Sequence, residues 1–364
     1  MKILILTGRF GMGHYSAARA LAERIPAELP GAECTVVDLF SEVFGGTTGV
    51  LYKAYTLFIS RGGKIYNQIY RRLENGNEKL GIPLRPLFLR GLGRVLADCC
   101  YDVVISVLPL TSQLMSEHKS RTGDRTPFIT CITDVCPHGD WIAPHTTAYL
   151  AASERTRSLL VSRGVNPKSI YVTGVPVRPC FRPAMPAQDS ARVREVLITG
   201  GGLGLLPSAI GFYRSLASIP NLHATVVCGD NTALHDRLSG RFDNITVLGF
   251  TRDMASLMRK SDLVIGKPGG VTLFESIACR VPLLSFRPFL AQEVYNAGFL
   301  RAEGLGEVLD CQPEECLPIV KELLFDDARL ASMRRNMDKL VRSRDSLVLP
   351  LLLSQYPETG CCAS

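Results

Sequence analysis

The stretch Gly266-Lys267-Pro268-Gly269-Gly270-Val271-Thr272-Leu273-Phe274-Glu275 follows a short apolar run, residues 263–265, and opens a pattern that predicts a helix. A strand, a glycine turn and a helix in this order are typical of parallel α/β architecture, in which ligands bind beyond the carboxyl ends of the strands. The amides at such a helix start favour phosphate, and the Glu275 carboxylate can accept from both hydroxyls of a ribose. Thr272 and Glu275 also have the spacing of a capping box, and both interpretations can hold together.

The same alternation of apolar, β-branched runs with helical patterns extends along the whole chain. Its 364 residues exceed the length at which single cores stop growing, so we expect two domains of α/β class, each a Rossmann-like, doubly wound parallel sheet. We place an N-terminal domain at 1–180, a proline-rich linker at 181–193, a C-terminal domain at 194–326 and a helical segment at 327–364 that packs outside or crosses back to the first domain. The predicted strands are 2–7, 34–38, 103–108, 128–133, 148–151 and 170–173, then 196–199, 224–228, 245–248, 263–265 and 282–285. The helix after the first strand is predicted at 15–25, with Pro26 ending it.

Composition limits the class of protein. Hydrophobic residues make up 46% and charged residues 21% of the chain, which is typical of a folded enzyme or binding protein. No apolar run approaches the ~20 residues that span a bilayer, and the first strand runs into a glycine turn without a signal-peptide core. We therefore expect a cytoplasmic protein. The 12 cysteines include no Cys-x-x-Cys pair and are interpreted as thiols rather than a disulfide framework or a zinc site.

Positive charge is concentrated in residues 53–94, which contain nine basic and only two acidic residues. The net charge of the whole chain is +7. Tyrosines and phenylalanines are interleaved with these charges, a mixture suited to anionic lipid headgroups. The alternative is a solvated basic helix surface whose rings face the core. We expect no nucleic-acid partner, because no nucleic-acid motif accompanies the charge. The candidate membrane contacts are Arg71, Arg72, Arg85 and Arg90.

The first chemical motif, Thr7-Gly8-Arg9-Phe10-Gly11-Met12-Gly13-His14, lies between the first predicted strand and its helix. Its Gly-x-x-Gly-x-Gly order is not the dinucleotide fingerprint, which disfavours a dehydrogenase. Glycines allow close approach of a ligand to the backbone, and His14 lies at the edge of the sheet where α/β ligands bind. His14 is therefore a candidate catalytic residue, although a lone histidine is often structural.

A second loop beyond a strand end gathers Asp134, His138, Asp140 and Trp141, the only tryptophan of the chain. A carboxylate there can orient a histidine or accept a proton itself. The alternative interpretation is a helix cap and a surface loop.

Two further motifs lie in the second half. Thr199-Gly200-Gly201-Gly202-Leu203-Gly204 closes a predicted strand and indicates a diphosphate contact, although a flexible turn would have the same composition. Gln292 and Glu293 open a later helix, with side chains suited to the hydroxyls of a sugar. No Asp-x-Asp pair occurs, so we expect no metal, and amides at the glycine turns would stabilise a leaving diphosphate instead.

Taken in order, these motifs resemble the family of monogalactosyldiacylglycerol synthases and bacterial diacylglycerol glucosyltransferases, which are related to MurG and to glycosyltransferase family 28. The resemblance implies a GT-B fold, two Rossmann-like domains facing a central cleft. It also implies metal-independent, inverting transfer of glucose or galactose from a UDP-sugar to diacylglycerol or a related lipid, without a further cofactor, on the inner face of the cell membrane. The residues that carry it are 11–18, Thr133, Asp134, His138, Trp141, 174–179, 200–202, Gly249, Phe250, 267–272, Glu275, Gln292, Glu293 and Asn296.

The resemblance also assigns roles to these residues. His14 and Asp134 would lie at the reacting hydroxyl as catalytic residues, while the acceptor contacts Gly13, His138 and Trp141. Uracil would meet the backbone near Phe250, ribose Glu275, and the hexose Gln292 and Glu293. The diphosphate would meet Gly201 and Thr272, and the further donor-binding residues would be Gly202, Lys267, Gly269 and Gly270.

Three alternatives remain open from the sequence. A MurG-like enzyme would use UDP-N-acetylglucosamine. A UDP-sugar epimerase or hydrolase on the same scaffold would act without a lipid and would not need the basic aromatic segment. A sugar-nucleotide sensor would bind without turnover, and His14→Ala would leave its function intact.

Overall fold

A computed structural model of the chain describes residues 1–10, 13–61, 67, 84–184, 193–288, 290–343 and 348–356. The chain divides into two compact units, the first formed by Met1–Pro179 and the residues from Arg344 onward, the second by Cys180–Ser343. The predicted linker at 181–193 begins just after this boundary, and most of it, 185–192, is outside the described residues.

The first unit contains a six-stranded, wholly parallel sheet with the strand order β2-β1-β3-β4-β5-β6. Its strands are β1 Lys2–Thr7, β2 Glu33–Asp38, β3 Val103–Ser106, β4 Phe128–Cys131, β5 Ala148–Ala151 and β6 Ile170–Val172. Its described helices are α1 Gly13–Glu28, α2 Leu39–Phe44, α3 Thr48–Arg61, α4 Arg85–Asp98, α5 Pro109–Thr122 and α6 Glu154–Ser162.

The second unit repeats this plan with the order β12-β11-β10-β7-β8-β9, again wholly parallel. Its strands are β7 Arg194–Thr199, β8 Leu222–Val227, β9 Ile245–Leu248, β10 Leu263–Gly266, β11 Leu283–Ser285 and β12 Gly306–Val308. Its helices are α7 Ile210–Ala217, α8 Thr232–Leu238, α9 Met254–Lys260, α10 Gly270–Cys279, α11 Ala291–Ala302, α12 Leu317–Phe325 and α13 Asp327–Ser343.

Both faces of the first sheet are buried along β1, β3, β4 and β5, which explains why these strands are largely apolar rather than alternating. Ile3 and Ile5 of β1 pack with Leu21 of α1, whereas Leu4 and Leu6 join a cluster on the opposite face. The last helix, α14 Val348–Ser354, buries leucine side chains in the first of these clusters. The segment predicted at 327–364 is therefore split, since α13 belongs to the second unit and α14 packs on the first.

Three local predictions are wrong. The helix predicted to end at Pro26 continues to Glu28, because the fixed φ of proline is helical and only one hydrogen bond is lost. Strand β12 has no counterpart among the predicted strands. The capping box of Thr272 with Glu275 does not form, because α10 begins earlier, with Gly269 as its N-cap, and Thr272 is the third helical residue.

The two parallel sheets confirm the predicted α/β class. Among the described helices, none is long and apolar enough to cross a lipid bilayer.

Candidate active site

The carboxyl edge of the first sheet brings together two stretches that are far apart in sequence. His14 is the second residue of α1, the helix that follows β1 in the chain, and Thr133 lies beyond the end of β4. The His14 Nδ1 and the Thr133 Oγ1 are 2.9 Å apart and share a hydrogen bond. Because β1, β3 and β4 are neighbours and parallel, their ends deliver these side chains to one place.

Asp134 is fixed by the buried Trp141. The indole Nε1 donates to Asp134 Oδ2 over 3.0 Å, and the Trp141 side chain is fully buried. The loop that carries Trp141 is held in turn by the Gln113 amide of α5, which donates to the carbonyls of Asp140, at 2.7 Å, and Ile142, at 3.0 Å. The part of the loop around Trp141 is therefore attached to α5, and the indole in turn holds the Asp134 carboxylate.

Three ring side chains complete this group. The ring centroid of Trp141 lies 6.1 Å from that of His14 and 6.4 Å from that of His138, and both pairs of rings are tilted relative to each other. His138 Nδ1 is also 3.9 Å from Asp140 Oδ2. The structure thus brings together His14, Asp134, His138 and Trp141, four of the residues singled out in the first domain.

The electrostatic surroundings lower the pKa of His14. Burial is the largest cause, since it disfavours the charged imidazolium, and the neighbouring His138 acts in the same direction. The Asp134 carboxylate and a hydrogen bond to the Val107 backbone act in the opposite direction but do not outweigh burial. His14 is therefore neutral near pH 7, and a neutral imidazole can accept a proton.

In the second unit the corresponding edge is built from backbone. The turn after β7 is fastened to the loop after β8, because the Asp230 amide donates to the Gly202 carbonyl over 3.0 Å. Gly204 has a φ of +59°, and a Cβ there would lie 1.8 Å from the Cys228 carbonyl oxygen. Only glycine is compatible with this position, which explains one of the glycines in the motif.

A lysine and a buried carboxylate lie beside this turn. Lys267 follows β10, and its Nζ is 3.3 Å from Glu293 Oε1, whose side chain is only 6% exposed. A Cβ on Gly201 would lie 3.5 Å from Lys267 Cε, so the lysine stem runs along the glycine turn. Glu293 Oε2 also accepts from the Leu290 amide at the start of α11. Glu293 is thereby occupied in orienting Lys267 and capping its own helix.

The helix start after Lys267 is held from the same side. Asn296 of α11 is buried, and its Nδ2 donates to the Pro268 carbonyl over 2.9 Å. Gly269 and Gly270 then open α10, with Thr272 in its first turn and Glu275 partly buried further along. Lys267, Asn296 and the start of α10 therefore form one connected unit next to the turn at Gly201.

Other predicted site residues lie apart from these two groups or are not described. Phe250 follows the edge strand β9, separated from β10 by β7 and β8, and its side chain is 62% exposed. Gln292 is partly buried at the start of α11. Arg85 and Arg90 are exposed on α4, and Arg85 pairs with Glu117. Arg71 and Arg72 lie outside the described residues. Within the described part of the chain, no group of His, Cys, Asp or Glu side chains could hold a metal ion.

Sequence reasoning missed the residues that support the site rather than form it. Gln113, Asp38 and Tyr52 belong to no recognisable motif, and their partners are distant in sequence or are backbone groups. Only the fold brings them to the edge of the sheet.

Comparison with known proteins agrees with this architecture. Residues 14–177 match the family model described as monogalactosyldiacylglycerol (MGDG) synthase, and residues 196–346 match the glycosyltransferase family 28 C-terminal domain. A processive diacylglycerol beta-glucosyltransferase of Bacillus subtilis (strain 168) is 30% identical over 374 residues, covering 96% of this chain and 93% of the relative.

Two solved structures share the fold at low sequence identity. MurG of Acinetobacter baumannii is 16% identical, covers 98% of both chains and has a TM-score of 0.64. A UDP-GlcNAc 2-epimerase of Neisseria meningitidis, bound to UDP-GlcNAc, is 14% identical, covers 97% of this chain and all of the other, and has a TM-score of 0.62. The two parallel sheets and these likenesses define a protein of GT-B fold, as predicted. The chain belongs to the family of MGDG synthases and diacylglycerol glucosyltransferases.

Proposed function

We propose that this chain transfers glucose from UDP-glucose to the free hydroxyl of diacylglycerol, with inversion at the anomeric carbon, on the surface of an anionic membrane. The observation that carries the proposal is the His14 group: a neutral imidazole next to a fixed carboxylate, at the sheet edge where α/β enzymes bind ligands. Glucose is preferred to galactose because the curated relatives at 30% identity are named glucosyltransferases.

The first unit supplies the base. His14 accepts the hydroxyl proton while the hydroxyl oxygen bonds to the anomeric carbon and the bond from that carbon to UDP breaks, so that UDP leaves with the electron pair. The imidazolium that forms is stabilised by the nearby Asp134 carboxylate, which raises the pKa of His14 in the resting protein. Asp134 is thus assigned to electrostatic support, and Gly13, His138 and Trp141 to the acceptor side.

The second unit holds the donor without a metal ion. The glycine turn with Gly201 and Gly202, and the start of α10 with Gly269, Gly270 and Thr272, offer amides to the diphosphate. Lys267 adds a positive charge that Glu293 keeps oriented. Ribose is assigned to Glu275, uracil to the backbone near Phe250, and the hexose to Gln292.

The lipid surface is assigned to α3 and α4, which both contact α2. Apolar side chains are exposed on or beside these helices, namely Val50, Leu51, Leu84 and Leu87. Exposed Arg85 and Arg90 lie among them, and this combination suits an anionic headgroup layer over acyl chains. We assign the protein to the cytoplasmic face of the cell membrane, held at the surface rather than inserted.

The deciding experiment supplies the purified protein with labelled UDP-glucose or UDP-galactose and anionic vesicles, with or without diacylglycerol. Transfer of glucose to lipid only when diacylglycerol is present is the expected result. Sugar isomerisation or UDP release without lipid would identify an epimerase or hydrolase, and UDP-glucose binding without turnover would identify a sensor. Preference for UDP-N-acetylglucosamine in the same assay would identify a MurG-like enzyme.

The membrane assignment has its own test. Arg85→Gln with Arg90→Gln is expected to weaken binding to anionic vesicles, measured by sedimentation, roughly thirtyfold at low salt and less at high salt, because each charge near the surface contributes about 1 kcal/mol and is screened. Arg237→Gln with Arg241→Gln, an exposed pair on and after α8 of the second unit, serves as the matched control and is expected to leave binding unchanged. Equal sedimentation of all variants would contradict the assignment.

A further inference from the structure

A polar cluster beside the His14 turn has no role in the mechanism above. The Tyr52 hydroxyl of α3 donates to Asp38 Oδ1 over 2.7 Å and accepts a hydrogen bond from the Arg9 backbone amide over 3.0 Å. Arg9 Nε lies 3.5 Å from Asp38 Oδ2. Tyr52 and Asp38 therefore hold the turn by its main chain and by its arginine.

The same arginine reaches the other side of the turn. Its guanidinium lies 4.6 Å from the ring centroid of Tyr15, the residue after His14. Such cation–π contacts stabilise by about 0.5–1 kcal/mol when exposed. Arg9 thus connects the residue that follows His14 to the cluster at the end of β2.

The anchor for these contacts is rigid. The Asp38 side chain is 5% exposed, and it also accepts from the Phe40 amide and the Ser41 hydroxyl at the start of α2. The Phe10 ring packs edge-on against Phe40, with centroids 4.5 Å apart, and against Tyr52, at 4.9 Å. Movement of α3 relative to β2 would therefore be transmitted to the turn through Tyr52.

Tyr52 lies on the helix that we assign to the lipid surface. Val50 and Leu51 precede it directly, and Val50 is 71% exposed. Burial raises the pKa of the Tyr52 hydroxyl well above its usual value, and the bond to Asp38 acts in the same direction. The hydroxyl therefore stays protonated and continues to donate to Asp38.

We propose that Tyr52 is a positioning residue that ties the lipid-contacting helix α3 to the turn that carries His14, so that contact of α3 with an anionic lipid surface sets the position of the imidazole. The tie itself is independent of the reaction. Its coupling to lipid rests on the proposed function.

The tie can be tested without any turnover, because Trp141 is the only tryptophan and its ring lies close to that of His14. A protonated imidazole quenches a neighbouring indole, so Trp141 fluorescence against pH reports the titration of His14. His138 also lies beside the indole and Asp134 faces both, so the titration is made in a His138→Gln background with Asp134 intact.

In that background Tyr52→Phe is expected to move the fluorescence midpoint to higher pH, because a loosened turn leaves the imidazole less buried. Asp38→Asn, which keeps the side-chain shape, is expected to move it in the same direction. The matched control is Tyr101→Phe, which removes a hydroxyl bonded to Thr35 toward the other end of β2, and it is expected to leave the midpoint unchanged. An unchanged midpoint in Tyr52→Phe, or an equal shift in Tyr101→Phe, would overturn the tie.

Kinetics on diacylglycerol-containing anionic vesicles test the coupling to lipid. Tyr52→Phe is expected to lower kcat roughly tenfold, as a small misplacement of a catalytic group does, while KM for UDP-glucose and sedimentation with vesicles stay as in the wild type. Undiminished stimulation by anionic lipid in this variant would overturn the coupling. A wild-type protein without lipid glucosylation would contradict the proposed function instead, and the fluorescence titration would still decide the tie.

Discussion

The carboxyl edges of the two sheets share a topology but differ in the kind of chemical group that they present, side chains in one and main-chain amides in the other. In the first unit the candidate functional groups are side chains, His14, Thr133 and Asp134, each fixed by another side chain. In the second unit most of the candidate diphosphate contacts are main-chain amides, held by main-chain hydrogen bonds such as that from the Gly204 amide to the Gly201 carbonyl at 2.9 Å. A single substitution in a side-chain site removes one group while its neighbours stay in place. A single substitution in a main-chain site shifts the backbone and therefore disrupts all of its amides together. The two edges should therefore respond differently to single substitutions.

The largest effect is expected from His14→Ala. Loss of a general base lowers the rate of transfer by roughly 10²–10⁴-fold, whereas binding of UDP should be unchanged because the second unit retains its turns. Rates on diacylglycerol vesicles and calorimetric titration with UDP measure the two quantities. His118→Ala, on the part of α5 away from this group, is the matched control and should retain transfer. Retained activity in His14→Ala would remove the base from the mechanism.

Gly204→Ala is expected to have the opposite profile, with loss of UDP binding and of stability together. The new Cβ would meet the Cys228 carbonyl at a positive φ, which we expect to lower the free energy of unfolding by about 2 kcal/mol or more. Chemical denaturation and UDP titration measure it.

The control for this substitution lies in the next helix. Gly211 of α7 has open space around its Cβ position, so Gly211→Ala should be neutral or slightly stabilising. UDP binding by a stable Gly204→Ala variant would show that the turn does not act as a unit.

The sequence allows the main-chain edge to be predicted better than its supports. Three glycines before a helix already indicate a backbone site, because glycine is required where other atoms approach closely. All eleven predicted strands lie within two residues of the observed ends, since most of these strands are buried on both faces and are largely apolar. Strand β12 escaped prediction because its three residues, Gly306-Glu307-Val308, have neither length nor apolar character.

The supporting contacts could not be predicted for a physical reason. The hydrogen bond from Tyr52 to Asp38 joins α3 to the end of β2 and depends on how α2 and α3 pack. The spacing of these residues in the sequence does not predict it. Glu293 shows the same limit: its sugar contact stays a prediction, and the sequence gives no sign that its buried carboxylate pairs with Lys267. Lys267 follows β10 whereas Glu293 lies in α11, and only the fold brings the start of α11 next to the end of β10.

The smallest expected effect concerns pH and tests the side-chain edge alone. Because the folded-state pKa of His14 lies below its usual value, near 6.5, transfer should persist into mildly acidic solution and fall only as the imidazole is protonated. His138→Gln removes a group that lowers this pKa, so the acid limb of the kcat/KM profile should move to higher pH.

Asp134→Asn removes a charge that raises the same pKa, so the limb should move to lower pH while the rate itself falls, because the imidazolium loses its support. Profiles of the wild type and both variants, measured with the same vesicles, give the two displacements. Shifts of the acid limb in opposite directions in the two variants would assign that limb to the titration of His14. Displacement of both variants in one direction would mean that the limb belongs to another group, since no single imidazole between these two neighbours could respond in that way.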